Sequence, residues 1–312
     1  MSLPSRQSLA EARIALGSFD RFLLLYGTMF AAFGVASPFL PVLLHERGLG
    51  ASEIGVVLAA GTAVRLVTGP AISRLADRLG AHRQILTLSI AMSAVIAFGY
   101  SLPAGFAIFL LVSVAHASAL ASIVPIADAM TLAAAPGRFQ YGWVRGAASD
   151  AFIVGSVSAG QLVAATSLLG IVWLNGTILA LAAVAALRLP RNALDRRFVG
   201  RQANVRALFA APGFLPLMAL AALVLSSHAL HDGFEVLRWE EGGIGPGTAG
   251  ILWSEGVPAE VVVFVLVGPP LLRRLGPAGA AALAASAGMV RWSVTAVTAW
   301  LPAMALVNRY MV

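Results

Sequence analysis

Charged side chains stand deep inside several stretches of this sequence that are otherwise apolar. Arg65 lies near the middle of one such stretch. A charge at the centre of a bilayer costs about 2.5–3.5 kcal/mol on insertion scales, so Arg65 needs an anionic partner or a water-filled cavity. Two interpretations stay open: its guanidinium binds a solute carboxylate through two hydrogen bonds, or it forms an ion pair within the protein.

Glu260 and Arg291 stand at similar depth in two later apolar stretches. We expect them to form a buried ion pair between consecutive helices, with a role in packing and gating. A second interpretation is that Glu260 carries a proton when this pair opens.

His228, His231 and Asp232 occupy positions i, i+3 and i+4, so they share one face of a helix. This face could bind a solute, relay a proton or line a water-filled cavity, because histidine titrates near neutral pH. The same spacing can hold a metal, but no further ligand cluster supports one, and we expect neither a metal nor a cofactor. Glu235 and Glu255 lie nearer the outer surface, where we expect them to be solvated.

The elements that must position these residues are membrane-spanning helices. Mean hydropathy is +0.86, 59% of the residues are hydrophobic and only 11% are charged. A water-soluble protein of 312 residues requires a more charged surface. A helix of about 20 apolar residues crosses the hydrocarbon of a bilayer. Nine spans are predicted, at Phe22–Leu44, Ile54–Ala76, Ile85–Leu102, Phe106–Leu132, Gly146–Ala165, Leu168–Leu187, Phe214–Leu237, Thr248–Leu272 and Ala278–Ala299.

The positive charge of the chain follows its predicted topology. A net charge of +7 and an isoelectric point near 11.1 would suggest a nucleic-acid partner in a soluble protein. Here every basic residue is arginine, most arginines lie in every second loop, and the intervening loops hold only Arg47 and Arg238. By the positive-inside rule this pattern places the N-terminus in the cytoplasm, and it does not indicate nucleic-acid binding. The absence of cysteine excludes disulfides and thiol catalysis.

A basic segment, 188–212, divides the predicted spans into two groups. Residues 1–187 form six spans, whereas 213–312 form three spans and a partial tenth, which begins at Leu301 and is too short to cross. We therefore predict an all-α integral membrane protein with a six-helix N-terminal bundle, a basic cytoplasmic linker and an incomplete second bundle. Gly155 and Gly160, among other small residues, predict close helix packing along the fifth span.

Several short segments resemble one transporter family. The loop between the second and third spans reads SRLADRLGAHR at 73–83, which is similar to the cytoplasmic signature G-x-L-A-D-R-x-G-R-R/K of the major facilitator superfamily. Further segments are VPIADA at 124–129, YGWVR at 141–145, HALHDGF at 228–234, LWSEGVPAEV at 252–261 and VRW at 290–292. Together they resemble the phenylpropionate-permease branch, which is related to nucleoside–proton symporters.

The resemblance implies a secondary transporter that moves a small organic solute together with protons by alternating access. The implied solute is an aromatic carboxylate such as phenylpropionate; a nucleoside or a sugar is the alternative. The branch continues beyond Val307 through two further spans, so a truncated permease that does not transport is a third interpretation. The sequence contains no nucleophile–base constellation and no phosphate loop, and we do not expect an enzyme.

The resemblance also implies a cytoplasmic gate. Asp77, Arg78 and Arg83 belong to the signature loop, with the arginines pairing across helices, and Asp128 and Arg145 stand at the cytoplasmic ends of the fourth and fifth spans, where they could pair. The expected partners are a small-molecule solute, protons and the lipid bilayer of the inner membrane. The expected oligomeric state is a monomer.

Overall fold

The structure is a computed structural model of the chain, and it describes residues 6–190, 209–211 and 213–297. These residues form ten α-helices and no β-strand. The helices are α1 (Arg6–Glu46), α2 (Ala51–Leu79), α3 (His82–Ala97), α4 (Phe106–Leu120), α5 (Ile123–Ala134), α6 (Tyr141–Ala165), α7 (Leu169–Leu187), α8 (Phe214–Glu241), α9 (Pro246–Val262) and α10 (Gly268–Val297). A 3₁₀ turn, Phe98–Ser101, extends α3, and α4 and α5 follow each other within one span.

Seven helical segments in the described part of the chain are long and apolar enough to cross a membrane. They coincide with the first seven predicted spans, and several extend further at their polar ends: α1 begins at Arg6 and α6 begins at Tyr141. Hydropathy detects only the part of a helix that lies in hydrocarbon, whereas the backbone hydrogen bonds continue beyond it. Most of the linker and the partial tenth span lie outside the described residues.

The predicted eighth span is not one continuous helix. Helix α9 ends at Val262, a π-helical turn covers Val263–Val267, and α10 then begins. Pro258 lies inside α9 and cannot donate a backbone hydrogen bond. π-Helical turns are rare and occur mostly as single turns within α-helices. Gly276 breaks α10 with a backbone φ of 67°. The end of the predicted eighth span and the start of the predicted ninth span therefore lie in the same helix, α10, on either side of Gly276.

Two apolar clusters lie at opposite ends of the bundle. The N-terminal cluster surrounds Phe22, Leu25 and Leu86 and, among the described residues, contains none from α8, α9 or α10. The shared cluster joins the end of α1 and the start of α2 to Trp239 and Trp253 of the second half. The two halves of the molecule therefore meet at the end where α1 finishes.

Helix α6 packs closely against helices from both halves. A Cβ atom at Gly155 would collide with the Ala31 carbonyl of α1, and Ser156 Oγ donates a hydrogen bond of 3.1 Å to the Gly34 carbonyl. A Cβ atom at Gly160 would lie 2.6 Å from the Pro246 carbonyl oxygen of α9. The predicted close packing along the fifth span is confirmed, because only glycine permits these approaches.

Candidate functional site

Two adjoining cavities lie between the halves of the molecule. The N-terminal cavity has a volume of about 510 Å³ and is lined mainly by α1, α2 and α4. The C-terminal cavity has a volume of about 340 Å³ and is lined by α1, α6, α8, α9 and α10. Both are lined by Ser37, Phe152 and Asp232. The two cavities therefore form a central site that both halves of the chain contribute to.

Arg65 lies on the wall of the N-terminal cavity, and its side chain is accessible from it. Within the described residues, no acidic side chain forms an ion pair with its guanidinium. Apolar and aromatic side chains, among them Phe33, Leu40 and Phe152, line the same cavity. The cavity thus presents one cation in largely apolar surroundings.

His116 lines the N-terminal cavity from α4, and the sequence analysis missed it. Only 6% of its surface is exposed, and its Nε2 atom has no hydrogen-bond partner among the described residues. Its ring meets the Tyr100 ring edge to face, with 5.7 Å between centroids. A single histidine inside the very apolar fourth span was the available signal. Its importance becomes visible only when the fold brings it to the same cavity as Arg65.

The C-terminal cavity brings together His228, His231 and Asp232, as their helical spacing predicted. The His231 ring stacks on Trp253 with 4.8 Å between centroids and an angle of 8° between planes. His231 Nδ1 lies 3.8 Å from Glu235 Oε2. The face of α8 that carries these polar residues therefore contacts Trp239 and Trp253 of the shared cluster.

The expectation that Glu235 is solvated is wrong. Only 7% of this residue is exposed. Glu235 lies one helical turn beyond His231 on the same face of α8, and that face is covered where the halves meet. Burial of an acid at this depth becomes tolerable because a histidine lies beside it.

Arg291 joins α10 to α8 within the C-terminal cavity. Only 4% of Arg291 is exposed, and its Nη1 atom lies 3.4 Å from His228 Nε2. Its guanidinium also lies 4.9 Å from the centroid of the Trp292 ring. The side chain of Glu260 lies outside the described residues, so its ion pair with Arg291 stays a prediction.

The signature loop contains short polar contacts at the end of the bundle opposite to the shared cluster. His82 Nε2 lies 2.8 Å from Asp77 Oδ1, within the loop itself. Arg83 Nη1 donates hydrogen bonds of 3.2 Å to the carbonyls of Leu187 and Leu189, which join α3 to the end of α7. Arg78 is exposed. The gating role of Asp77, Arg78 and Arg83 stays a prediction.

Asp128 is held mainly by tyrosine hydroxyls. Tyr26 Oη donates to Asp128 Oδ1 at 2.5 Å, and Tyr141 Oη donates to the same oxygen at 2.9 Å. The predicted partner Arg145 places Nη1 4.0 Å from this oxygen, and its guanidinium lies 5.0 Å from the Phe30 ring centroid. Arg145 also lines the C-terminal cavity, so it links the Asp128 cluster to the central site.

The sequence is similar to those of known transporters along most of its length. The sequence model of the MFS_1 like family matches residues 20–311. The chain is 29% identical to a probable 3-phenylpropionic acid transporter of Escherichia coli (strain K12) over 292 residues, covering 91% of this chain and 75% of that protein. It is 26% identical to the maltose permease of Geobacillus stearothermophilus over 276 residues, covering 87% and 69%, respectively.

The fold is similar to that of a solved transporter as well. The crystal structure of a mutant form of the nucleoside transporter NupG matches with a TM-score of 0.82, covering 93% of this chain and 77% of that chain. Sequence identity between the two is 14%, so this likeness concerns the fold alone.

Proposed function

Because the chain belongs to the MFS_1 like family and is a multi-pass transporter of the major facilitator superfamily, we propose that it is a secondary active transporter of a small aromatic carboxylate. A solute such as 3-phenylpropionate would move together with protons by alternating access. The observation that carries this proposal is Arg65, a cation without an acidic partner among the described residues, on the wall of the 510 Å³ cavity between the halves.

A carboxylate is the solute group that best satisfies Arg65. A guanidinium presents parallel N–H groups that match the two oxygens of a carboxylate, and such bonds are about twice as strong as neutral ones. The apolar wall formed by Phe33, Leu40 and Phe152 suits the hydrocarbon part of an aromatic acid. Cavities that bind small molecules commonly measure about 300–1,000 Å³, and this one falls within that range.

The arrangement of the halves corresponds to one stage of the transport cycle. They meet through the shared cluster, whereas the N-terminal cluster contains no described residue of the second half. With the N-terminus in the cytoplasm of an inner-membrane protein, this stage is closed outside and open inside. Residues 1–187 and 213–312 would then be the two moving units and 188–212 their cytoplasmic linker, with the protein acting as a monomer.

The C-terminal cavity would contribute the second wall of the binding site. His228, His231, Asp232 and Arg291 line it, and Glu260 belongs to α9, which forms part of the same wall. In this proposal these residues contact the solute or respond to its charge. Asp77, Arg78, Arg83, Asp128 and Arg145 would act at the cytoplasmic gate.

A nucleoside or sugar is the second candidate solute. It is supported by the relation to the maltose permease and by the fold shared with the nucleoside transporter NupG. A neutral solute would leave Arg65 without an anionic partner among the described residues, and for this reason we favour the carboxylate.

Counterflow in proteoliposomes tests the proposal. Vesicles loaded with unlabelled 3-phenylpropionate should take up the labelled compound, whereas 3-phenylpropanamide, uridine and maltose should compete weakly. Arg65→Gln should abolish uptake, and Arg65→Lys should retain part of it because the charge remains without the bidentate geometry. Arg74→Gln, on the exposed end of the same helix, is the matched control and should transport normally.

Three outcomes would count against the carboxylate proposal. Counterflow of uridine or maltose instead of 3-phenylpropionate would favour the second candidate. Equal activity of Arg65→Gln and the wild-type protein would remove the proposed role of Arg65. Binding of 3-phenylpropionate without counterflow would indicate a protein that binds the solute and does not carry it.

A further inference from the structure

His116 is a buried base in the same cavity as a cation. It shares the N-terminal cavity with Arg65, and its Nε2 atom has no hydrogen-bond partner in the described part of the chain. The other titratable groups that line this cavity are Tyr100, which contacts the His116 ring, and Asp232 of α8. His116 is therefore a buried proton acceptor in the wall of the cavity where a solute bound to Arg65 would lie.

The charge of Arg65 opposes protonation of His116. Two cations that share an apolar cavity repel each other, and burial adds a cost to charging the imidazole. Asp232 offsets little of this repulsion, because it also faces the basic groups His228, His231 and Arg291 of the C-terminal cavity. A carboxylate that neutralises Arg65 removes the repulsion and accepts a hydrogen bond from protonated His116.

Resting on the proposed function above, we propose that His116 takes up the co-transported proton, and does so only when a carboxylate occupies Arg65. A hydronium ion from the solution transfers its proton to Nε2 and becomes water, so one O–H bond breaks as one N–H bond forms, and the new N–H donates to the carboxylate. When the solute leaves, the repulsion from Arg65 returns and expels the proton to the same side. No other bond forms or breaks.

This mechanism fixes the charge that crosses the membrane. One carboxylate carries one negative charge and His116 carries one proton, so each cycle moves no net charge. A pH difference should therefore drive accumulation, whereas an electrical potential alone should not. The other histidines of the central site are less suited to this role, since His228 lies against Arg291 and His231 against Glu235 and Trp253.

Replacing His116 separates coupling from transport. His116→Asn and His116→Gln keep a polar group in the cavity and cannot take up a proton. We expect counterflow of 3-phenylpropionate to be slower than in wild type but to persist, since the hydrogen bond to the carboxylate is lost whereas exchange needs no net proton movement. In wild type, a pH difference should raise the ratio of inside to outside solute concentration by up to about tenfold per pH unit. In both variants this ratio should stay near one. His45→Asn, on the exposed end of α1, is the matched control and should behave as wild type.

Proton uptake by the purified wild-type protein provides a second measurement that does not depend on a variant. In weakly buffered detergent solution, 3-phenylpropionate should cause uptake of about one proton per bound solute. Full accumulation by His116→Asn, or no proton uptake by wild type, would overturn the inference about His116. Neither result would contradict the proposed function as a carboxylate transporter. Failure of wild-type counterflow would instead overturn the proposed function. Accumulation driven by potential alone would contradict the electroneutral mechanism.

Discussion

At the scale of single residues, Asp128 shows how a charge is held near the end of a membrane helix. Its Oδ1 atom accepts hydrogen bonds from Tyr26 and Tyr141, and Arg145 stands 4.0 Å away. The Tyr26 hydroxyl also accepts a hydrogen bond from Thr131 at 3.3 Å. Tyr26 is fully buried and joins α1 to α5, whereas Tyr141 is partly exposed at the start of α6. The two tyrosines therefore make unequal contributions to the same carboxylate.

Removing the two hydroxyls one at a time tests this inequality. Tyr26→Phe should lower the free energy of unfolding by about 1–3 kcal/mol, because it removes the shorter of the two hydroxyl hydrogen bonds to the half-buried Asp128 carboxylate. Tyr141→Phe should have a smaller effect, since water can replace its hydroxyl. Thermal unfolding of the detergent-solubilised protein measures both. Equal losses, or a larger loss for Tyr141→Phe, would show that Asp128 does not depend on the Tyr26 contact.

The site could be predicted from the sequence where a residue is anomalous within its own span. Arg65, His228, His231, Asp232 and Arg291 stand out in this way, and the fold brings them to the central cavities. Residues whose role depends on a distant partner could not be found. Glu235 is buried because the two halves are in contact. The proposed role of His116 depends on the cavity that it shares with Arg65.

At the scale of elements, the crossing of α6 and α9 holds the two halves together. A Cβ atom at Gly250 would lie 2.6 Å from the Ser156 carbonyl oxygen and 3.1 Å from Gly160 Cα. The contact is reciprocal and formed largely by backbone, so neither side can yield by rotating a side chain. Its place beside the shared cluster makes it part of the closure on the proposed outer side.

A methyl group at this crossing should favour opening. Gly160→Ala adds an atom without room, and overpacking costs about 1–3 kcal/mol. A shift of that size changes the ratio of two conformations by about 5- to 150-fold. The chain contains no cysteine, so Ser37→Cys provides a single label site that lines both cavities. Labelling by an impermeant maleimide from the outside should rise in Gly160→Ala.

Gly146→Ala is the control on the same helix, since a Cβ atom there meets no atom within 4 Å. It should leave labelling unchanged and stabilise α6 by about 0.5–1 kcal/mol through helix propensity. If Gly160→Ala and Gly146→Ala label alike, the crossing does not control closure.

The helices themselves were largely predictable, because the need for apolar length in a bilayer dominates their sequence. The small-residue face of the fifth span predicted close packing, yet it did not identify α1 and α9 as the two partners. The π-helical turn after α9 was not predicted either, since hydropathy is insensitive to backbone geometry.

At the scale of the whole molecule, the positions of the two apolar clusters suit the proposed cycle, in which one site faces two sides in turn. The shared cluster joins the halves at one end, and the central cavities lie between them. In that cycle, opening one end and closing the other would change which side reaches Arg65 without rebuilding the site. The account therefore depends on a solute that pairs with Arg65.

Binding of labelled 3-phenylpropionate to the purified protein tests this pairing most directly. Loss of one partner of a buried charge pair costs about 2–5 kcal/mol, so Arg65→Gln should weaken binding by at least about 30-fold. Unlabelled carboxylate should displace the label from wild type, and 3-phenylpropanamide should not. Equal affinity of Arg65→Gln and wild type, or equal displacement by the amide, would contradict the account.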